Sequence, residues 1–308
     1  MKSDLQLPER HNRVATLRRA RDKSILLRLS AVAAVALCVW AWLAGDLYES
    51  ILTSEQRWKN LERFLTRITP APVRAADDWS EARPWISEML TTGKGLKAAG
   101  ITFALATVAA ALSGLLALLV LPAASRNLSV DHPMGIANGR STHRGMWRLL
   151  NGGTRTLFVF TRSLPDYILG FLIISVLGPD PWSLVLALAI HNFGILGRLG
   201  SEVVENAPPD PARVNIAQGG GRISCYLQAI LPESFNRLVI YFFYRWETCV
   251  REATVLGMLG VISLGFMITQ AKAGRAFDKM LFYVLLGAAI VLLGDLLSIL
   301  VRRWLRAS

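Results

Sequence analysis

The sequence is poor in cysteine and histidine. Its three cysteines, Cys38, Cys225 and Cys249, are scattered, and no two have the spacing of a disulfide framework or a metal knuckle. Its four histidines are dispersed along the chain. No stretch satisfies G-x-x-x-x-G-K-[ST], in which backbone amides cradle phosphates while Lys and Ser/Thr complete the site. TTGKGLK (91–97) and GGGRIS (219–224) come nearest and fail. No strand precedes the glycines of 219–221, so a dinucleotide-binding turn is excluded as well. No small-residue cleavage site clearly follows the first apolar run, which is expected to stay as a span. These gaps argue against a nucleotide hydrolase, a metalloenzyme and a disulfide-stapled domain.

Apolar sequence is what the chain has in abundance. Of 308 residues 53% are hydrophobic, and the mean hydropathy is +0.39. The apolar residues gather in long runs, which points to a membrane protein. The net charge of +12 would suit nucleic acid, but the cations sit beside the apolar runs, as membrane topology requires. Nucleic acid is therefore not expected as a partner.

Six runs are expected to span as helices, at about 25–47, 96–121, 156–177, 182–199, 235–256 and 281–301. Each approaches the ~20 residues that cross a ~30 Å hydrocarbon layer. Helices are expected because backbone polar groups in lipid must be bonded within the segment. Cations fix the orientation. Lys2, Arg10, Arg13, Arg18, Arg19, Arg21 and Lys23 precede the first run. Arg126, Arg140, Arg144, Arg148 and Arg155 follow the second, against the single acid Asp131, and Arg302, Arg303 and Arg306 follow the last. Six spans put all three regions, and both termini, in the cytoplasm. The expected domains are a basic cytoplasmic segment 1–24, a first span 25–47, a periplasmic amphipathic segment 48–94 and a core 95–305. In 48–94, Trp58, Leu61, Leu65 and Ile68 recur at helical spacing, as do Trp85 and Met89. Interface helices are the expectation; a small packed cap is the alternative.

Several ionisable residues fall inside the runs, where each is costly and therefore faces a cavity or a partner. Arg162 and Asp166 lie four apart in the third run and are expected on one helix face. Glu247 and Arg251 lie four apart in the fifth, and Arg245 and Glu252 seven apart. One reading makes these structural ion pairs. The other makes Arg162, Arg245 or Arg251 line the path of an anion, since the guanidinium fork matches phosphorus oxyanions. His191, with Asn192, and Asp295 are expected to be interhelical hydrogen-bonding residues, with a place on the pathway as the alternative for His191. Gly194 and Gly197 are expected to permit close helix packing. Glu202 and Glu205 read as a solvated helix face.

The stretch NIAQGGGRISCYLQAILPE (215–233) places Gly219 thirteen residues before Pro232 of a Leu231-Pro232 pair. It resembles the cytoplasmic "EAA" loop of ABC-importer permeases. FTRSLPDYILGFLIISVLGPDPW, LALAIHNFGILGRLGSEVVENAP and FYRWETCVREATVLGMLGV resemble, in order, three segments of phosphonate-type permeases. PAASRNLSV resembles their boundary after the second span. The resemblance covers about 95–305. Three positions depart from it. Arg213-Val214-Asn215 stands at the acidic E-A-A start, GVISLG (260–265) stands for G-x-G-G-I-G, and Asp166 stands for Glu.

The resemblance implies an all-α membrane protein of ABC type I importer permease architecture in the bacterial inner membrane. In such proteins the loop, here 201–232 with Arg213, Ala217, Gly219, Gly220, Gly221, Leu231 and Pro232, forms helix, glycine turn and helix, and docks on an ATPase. The implied partners are two ATPase subunits carrying ATP and Mg, a second permease copy (expected to be identical), membrane lipid and a periplasmic phosphonate-type binding protein. This chain itself would bind no cofactor and catalyse no covalent step. Arg162, Asp166, His191, Arg245, Glu247, Arg251 and Glu252 are the candidate pathway residues. Two other functions stay open. One is a permease-like auxiliary subunit that does not transport. The other is a lipid-phosphate enzyme using Asp131, His132, His143, Glu202 and Glu205.

Overall fold

The structure, a computed structural model, describes residues 25–44, 55–130, 133–135 and 144–307. Every regular element among them is helical. Residues up to Leu65 and residues from Thr66 onward form two separate units. The first unit holds α1 (Ile25–Ala44), an apolar helix. The helix α2 (Glu55–Ile68) is strongly amphipathic and carries an exposed Glu55–Lys59 ion pair of 2.8 Å.

The second unit is a helix bundle. After α3 (Ala71–Ala76) and α4 (Ala82–Leu90) come α5 (Gly95–Ala124) and the short α6 (Arg126–Ser129). Then follow α7 (Arg144–Ser163), α8 (Asp166–Leu177) and α9 (Pro181–Glu205). The glycine-rich stretch contains α10 (Pro209–Ala217) and α11 (Arg222–Cys225), and α12 (Leu231–Leu256), α13 (Leu264–Ala273) and α14 (Phe277–Ala307) follow. At 30 residues, α5 reaches about 45 Å.

Three helices among the described residues are long and apolar enough to cross a membrane: α5, α9 and α14. The count rises to five if each of two bent pairs is one span. The expected third span is such a pair, and there the structure corrects the sequence reading. The chain breaks between α7 and α8 with a 91° bend. Pro165 causes it, because proline has no N–H and disfavours helical geometry at Leu164 before it. Arg162 and Asp166 therefore end one helix and begin the next, and do not share a face. The second pair bends by 42° between α12 and α13. At that bend Val261 and Leu264 are buried, and Leu264 N–H donates to Thr102 Oγ1 of α5 at 3.0 Å.

The central helix is α9, which touches α5, α7, α8 and α12. Without water between apolar surfaces, close packing and polar contacts hold membrane helices together. Small residues supply that closeness. The face of α5 toward its neighbours buries Ala98, Ala106, Ala109, Ala110, Ser113 and Ala117. On α9, a Cβ at Gly194 would sit 2.7 Å from the Phe158 carbonyl, and one at Gly197 2.3 Å from the Phe158 ring. Phe158 of α7 is fully buried there. The expected packing role of both glycines is what the structure contains.

The end of the 48–94 segment is a packed cap. Trp85 and Met89 are buried in the main core. The Trp85 ring meets Phe282 edge-on at 5.6 Å, and Tyr283 Oη donates to the Gly93 carbonyl at 2.9 Å. Ala71 N–H donates to Asp278 Oδ2 at 3.1 Å. These contacts tie the segment to the start of α14, which fits the packed-cap alternative for 71–90.

Candidate coupling module and buried charge networks

The glycine stretch forms a folded module. The helix α10 ends at Ala217, and Gly219 takes φ +90, which disfavours any side chain. Gly219 N–H donates to the Ile216 carbonyl at 3.0 Å and Gly220 N–H to the Asn215 carbonyl at 2.9 Å. This pair of bonds is a Schellman closure, which satisfies carbonyls left free at a helix end. A Cβ on Gly220 would sit 2.1 Å from Asn215 Oδ1. Gly221 is the N-cap of α11. The triple glycine thus has a steric reason at two of its positions, and it is a chain reversal between two helices.

After α11 a π turn (Tyr226–Ile230) leads into α12. Leu231 N–H bonds the Tyr226 carbonyl across that wide turn. Pro232 explains the widening, since its ring would strike a carbonyl four residues back in a regular helix. The second half of the loop is therefore continuous with α12, whereas the Leu-Pro pair read as a boundary in the sequence. Ala212, Ile216, Cys225, Tyr226, Ala229 and Ile230 form a second core with Leu121, Leu128 and Val204. Tyr226 Oη donates to the Leu118 carbonyl at 3.0 Å. Burial pushes the Tyr226 hydroxyl up to about 12. Arg213 is exposed, with Nη1 3.5 Å from Asp210 Oδ1 and Nε donating to the Met134 carbonyl at 3.4 Å. Arg222 donates to the Val130 carbonyl at 3.1 Å and lies over the Trp147 ring.

Glu205 is the residue that sequence reasoning misjudged. Its carboxylate pairs with Arg155 of α7, and both side chains are less than a fifth exposed. The same oxygen accepts from Arg126 N–H at 2.8 Å, while Asn127 Nδ2 donates to the Glu205 carbonyl at 2.8 Å. Arg155 Nε also donates to the Ala124 carbonyl at 2.9 Å. One carboxylate thus ties the end of α9 to the middle of α7 and to the start of α6 beside the module. The signal was present in two separate motifs, RN at 126–127 and E-x-x-E-N at 202–206, but nothing local says that they meet. Glu202 is half-exposed and pairs with Arg198 at 2.7 Å. Glu202 and Glu205 of the lipid-enzyme reading are thus taken by arginines, and its other residues, Asp131, His132 and His143, lie outside the described residues.

Two charge networks lie deeper. In the first, Arg245 donates to Asn192 Oδ1 and, at 3.0 Å, to Glu252 Oε1. Asn192 Nδ2 in turn donates to Glu252 Oε2 at 3.2 Å. Asp166 is buried at the start of α8, with Glu252 and His191 as its titratable neighbours. His191 Nδ1 is 2.9 Å from the Leu164 carbonyl, which the proline break leaves without a helical partner. In the second, Glu247 holds Arg251 at 2.9 Å and Arg302 of α14 at 3.2 Å. Arg251 lies 3.9 Å from Asp295 Oδ1, close enough for attraction and too far for a hydrogen bond, so that buried oxygen has no hydrogen-bond donor. The structure joins Arg245 to Glu252 and Glu247 to Arg251, as the spacing suggested. Arg162 belongs to neither network.

Known proteins place these features in one family. Residues 133–308 match the binding-protein-dependent transport system inner membrane component family. The chain is 26% identical over 226 residues to the phosphite transport system permease protein PtxC of Stutzerimonas stutzeri, covering 73% of each chain. It is 37% identical over 114 residues to the putative cryptic phosphonate transport system permease protein PhnE2 of Escherichia coli, covering 37% of this chain and 93% of that one. It is 30% identical over 149 residues to the phosphate-import permease protein PhnE of Mycolicibacterium smegmatis, covering 48% of this chain and 28% of that one. Among solved structures it shares its fold with a chain of an amino acid ABC transporter (TM-score 0.53, 15% identity, 70% of this chain and 96% of that one). It likewise resembles a chain of the inward-facing MetNI methionine ABC transporter (TM-score 0.52, 18% identity, 71% and 98%). The chain belongs to the family of inner-membrane components of binding-protein-dependent transport systems, and is a transport permease rather than an enzyme.

Proposed function

We propose that this permease imports a small phosphorus oxyanion, phosphite or a phosphonate, by ATP-driven alternating access. Phosphite, phosphonate and phosphate appear in the names of its relatives. Six spans, cytoplasmic termini and two identical copies complete the reading. A periplasmic binding protein delivers the anion, and two ATPase subunits carrying ATP and Mg grip the 201–232 loops.

The coupling module carries the proposal. Its inner face is buried in the second core, against Leu121, Leu128 and Val204, while Val214, Ile223 and Leu227 are about half exposed on its outside. Such a surface suits a groove on another subunit. The module has no hinge toward α12, because helical structure runs from Arg222 to Leu259. A displacement of the docked loop is then passed to a membrane helix as a rigid lever, which is how differential binding of the ATPase to two states would shift the bundle. Arg162, Asp166, His191, Arg245, Glu247, Arg251 and Glu252 are the pathway candidates, with the Arg245 set serving chiefly to join α9 to α12.

The test is uptake of labelled phosphite and methylphosphonate by cells carrying the chain with its neighbouring transport genes, compared with a Gly219→Pro variant. Proline cannot take the φ of that turn. Uptake that the variant abolishes while the chain still reaches the membrane supports the reading. Equal uptake with and without the chain sinks it, and points to an auxiliary subunit.

A further inference from the structure

We propose that one face of α12, carrying Arg237, Tyr241, Tyr244, Thr248 and Arg251, forms the water-filled wall along which the anion moves. This rests on the importer reading and says which surface performs it.

The observation is a periodicity of exposure. From Arg237 onward the exposed positions of α12 are 237, 241, 244, 251 and 255, with 248 half-buried between them. They recur every three or four residues, so they form one stripe along the helix. Five successive members of that stripe are polar or amphipathic. On α14 the exposed residues between Val284 and Leu300 are instead all apolar, Leu292, Leu293, Leu296 and Leu297 among them. That face suits lipid. The α12 stripe does not, because arginine and hydroxyl groups against hydrocarbon are costly and turn toward a cavity or a second chain.

Charge decides what the wall accepts. The Arg251 side chain is 52% exposed; its partner Glu247 is only 12% exposed and is shared with Arg302, and Asp295 Oδ1 lies 3.9 Å away. Arg237 shares a cavity of about 330 Å³ with Tyr241 and Glu202, and the Glu202 carboxylate is taken by Arg198. The stripe itself carries two cations and no carboxylate. Arg245 differs in exposure, for its side chain is 12% exposed and pairs with Glu252 behind the stripe. The geometry thus separates a guanidinium that faces outward from one that holds the bundle together. A path lined this way favours anions over cations of equal size.

Cysteine accessibility in native membranes tests this. Cys225 and Cys249 are buried and can stay, while the exposed Cys38 is replaced by alanine. Single cysteines at 241, 244, 248 and 255 are compared with cysteines at 292 and 296, using water-soluble thiosulfonates of negative and positive charge. Labelling at the stripe positions and none at the α14 positions is expected. At 244 and 248 the anionic reagent should react about tenfold faster than the cationic one, and Arg251→Gln should bring the two rates together while Arg251→Lys keeps them apart. Labelling that ignores the period, or equal rates for the two reagents in the parent, overturns the proposal. Failure of phosphite uptake with this pattern intact would instead discard the substrate and keep the wall.

Discussion

Removing the Glu205 carboxylate should loosen three helices at once. Glu205→Gln keeps the size and one acceptor oxygen, so Arg126 N–H can still be met, but the charge facing Arg155 is gone. Leaving one member of a well-buried ion pair costs about 3–5 kcal/mol. Both side chains here are partly exposed, at 14% and 19%, so solvent shares the load and about 2 kcal/mol is the better figure. Arg155→Gln should cost a similar amount. Because each substitution breaks the same contact, the double variant should be less unstable than the sum, with a coupling of about 1–2 kcal/mol. Denaturant unfolding of the detergent-solubilised chain, read by tryptophan fluorescence, measures all four corners of the cycle. Strict additivity, within about 0.5 kcal/mol, would show that the pair carries no energy and would refute the clamp.

Gly197→Ala should destabilise the α7–α9 contact by about 1–3 kcal/mol, because its methyl would overlap the Phe158 ring; Phe158→Leu in the same chain should restore part of the loss in a thermal melt. Gly219→Ala should cost about 1 kcal/mol, since only the positive φ is at stake and the space around it is open, whereas Gly220→Ala should cost more because it meets Asn215. Tyr226 lies outside the expected fifth span and ionises at about 12 in the folded chain against 10.0 ordinarily. The folded state therefore holds that proton more tightly, so stability is unaffected below pH 10 and falls by about 2–3 kcal/mol between pH 10 and about 12. Tyr226→Phe should flatten that part of the profile, as denaturant titrations at pH 9 and 11.5 would show.

The amino-acid sequence determined the class of molecule by itself. Long apolar runs force helices in lipid, because the backbone has no other donor or acceptor there. Local spacing was enough for the Glu247–Arg251 pair and for the Arg245–Glu252 pair, since each depends on neighbours within two helical turns, while the turn at Gly219 was implied by the resemblance to a permease loop. The small residues Gly194 and Gly197 likewise announced close packing, though not that Phe158 would fill the space. Tertiary structure decided the rest, because the remaining partners are distant in the chain. Pro165 was visible, but a proline kinks, breaks or merely bends a helix according to what receives its freed carbonyls, and here His191 from α9 receives one. Glu205 looked like a solvated acid until α6 and α7 brought Arg126 and Arg155 to it. Trp85 and Met89 had the spacing of an interface helix and became a cap when Phe282 lay beside them. The outward face of Arg251 and the inward face of Arg245 differ by six residues on one helix, and only the helices packed around α12 tell them apart.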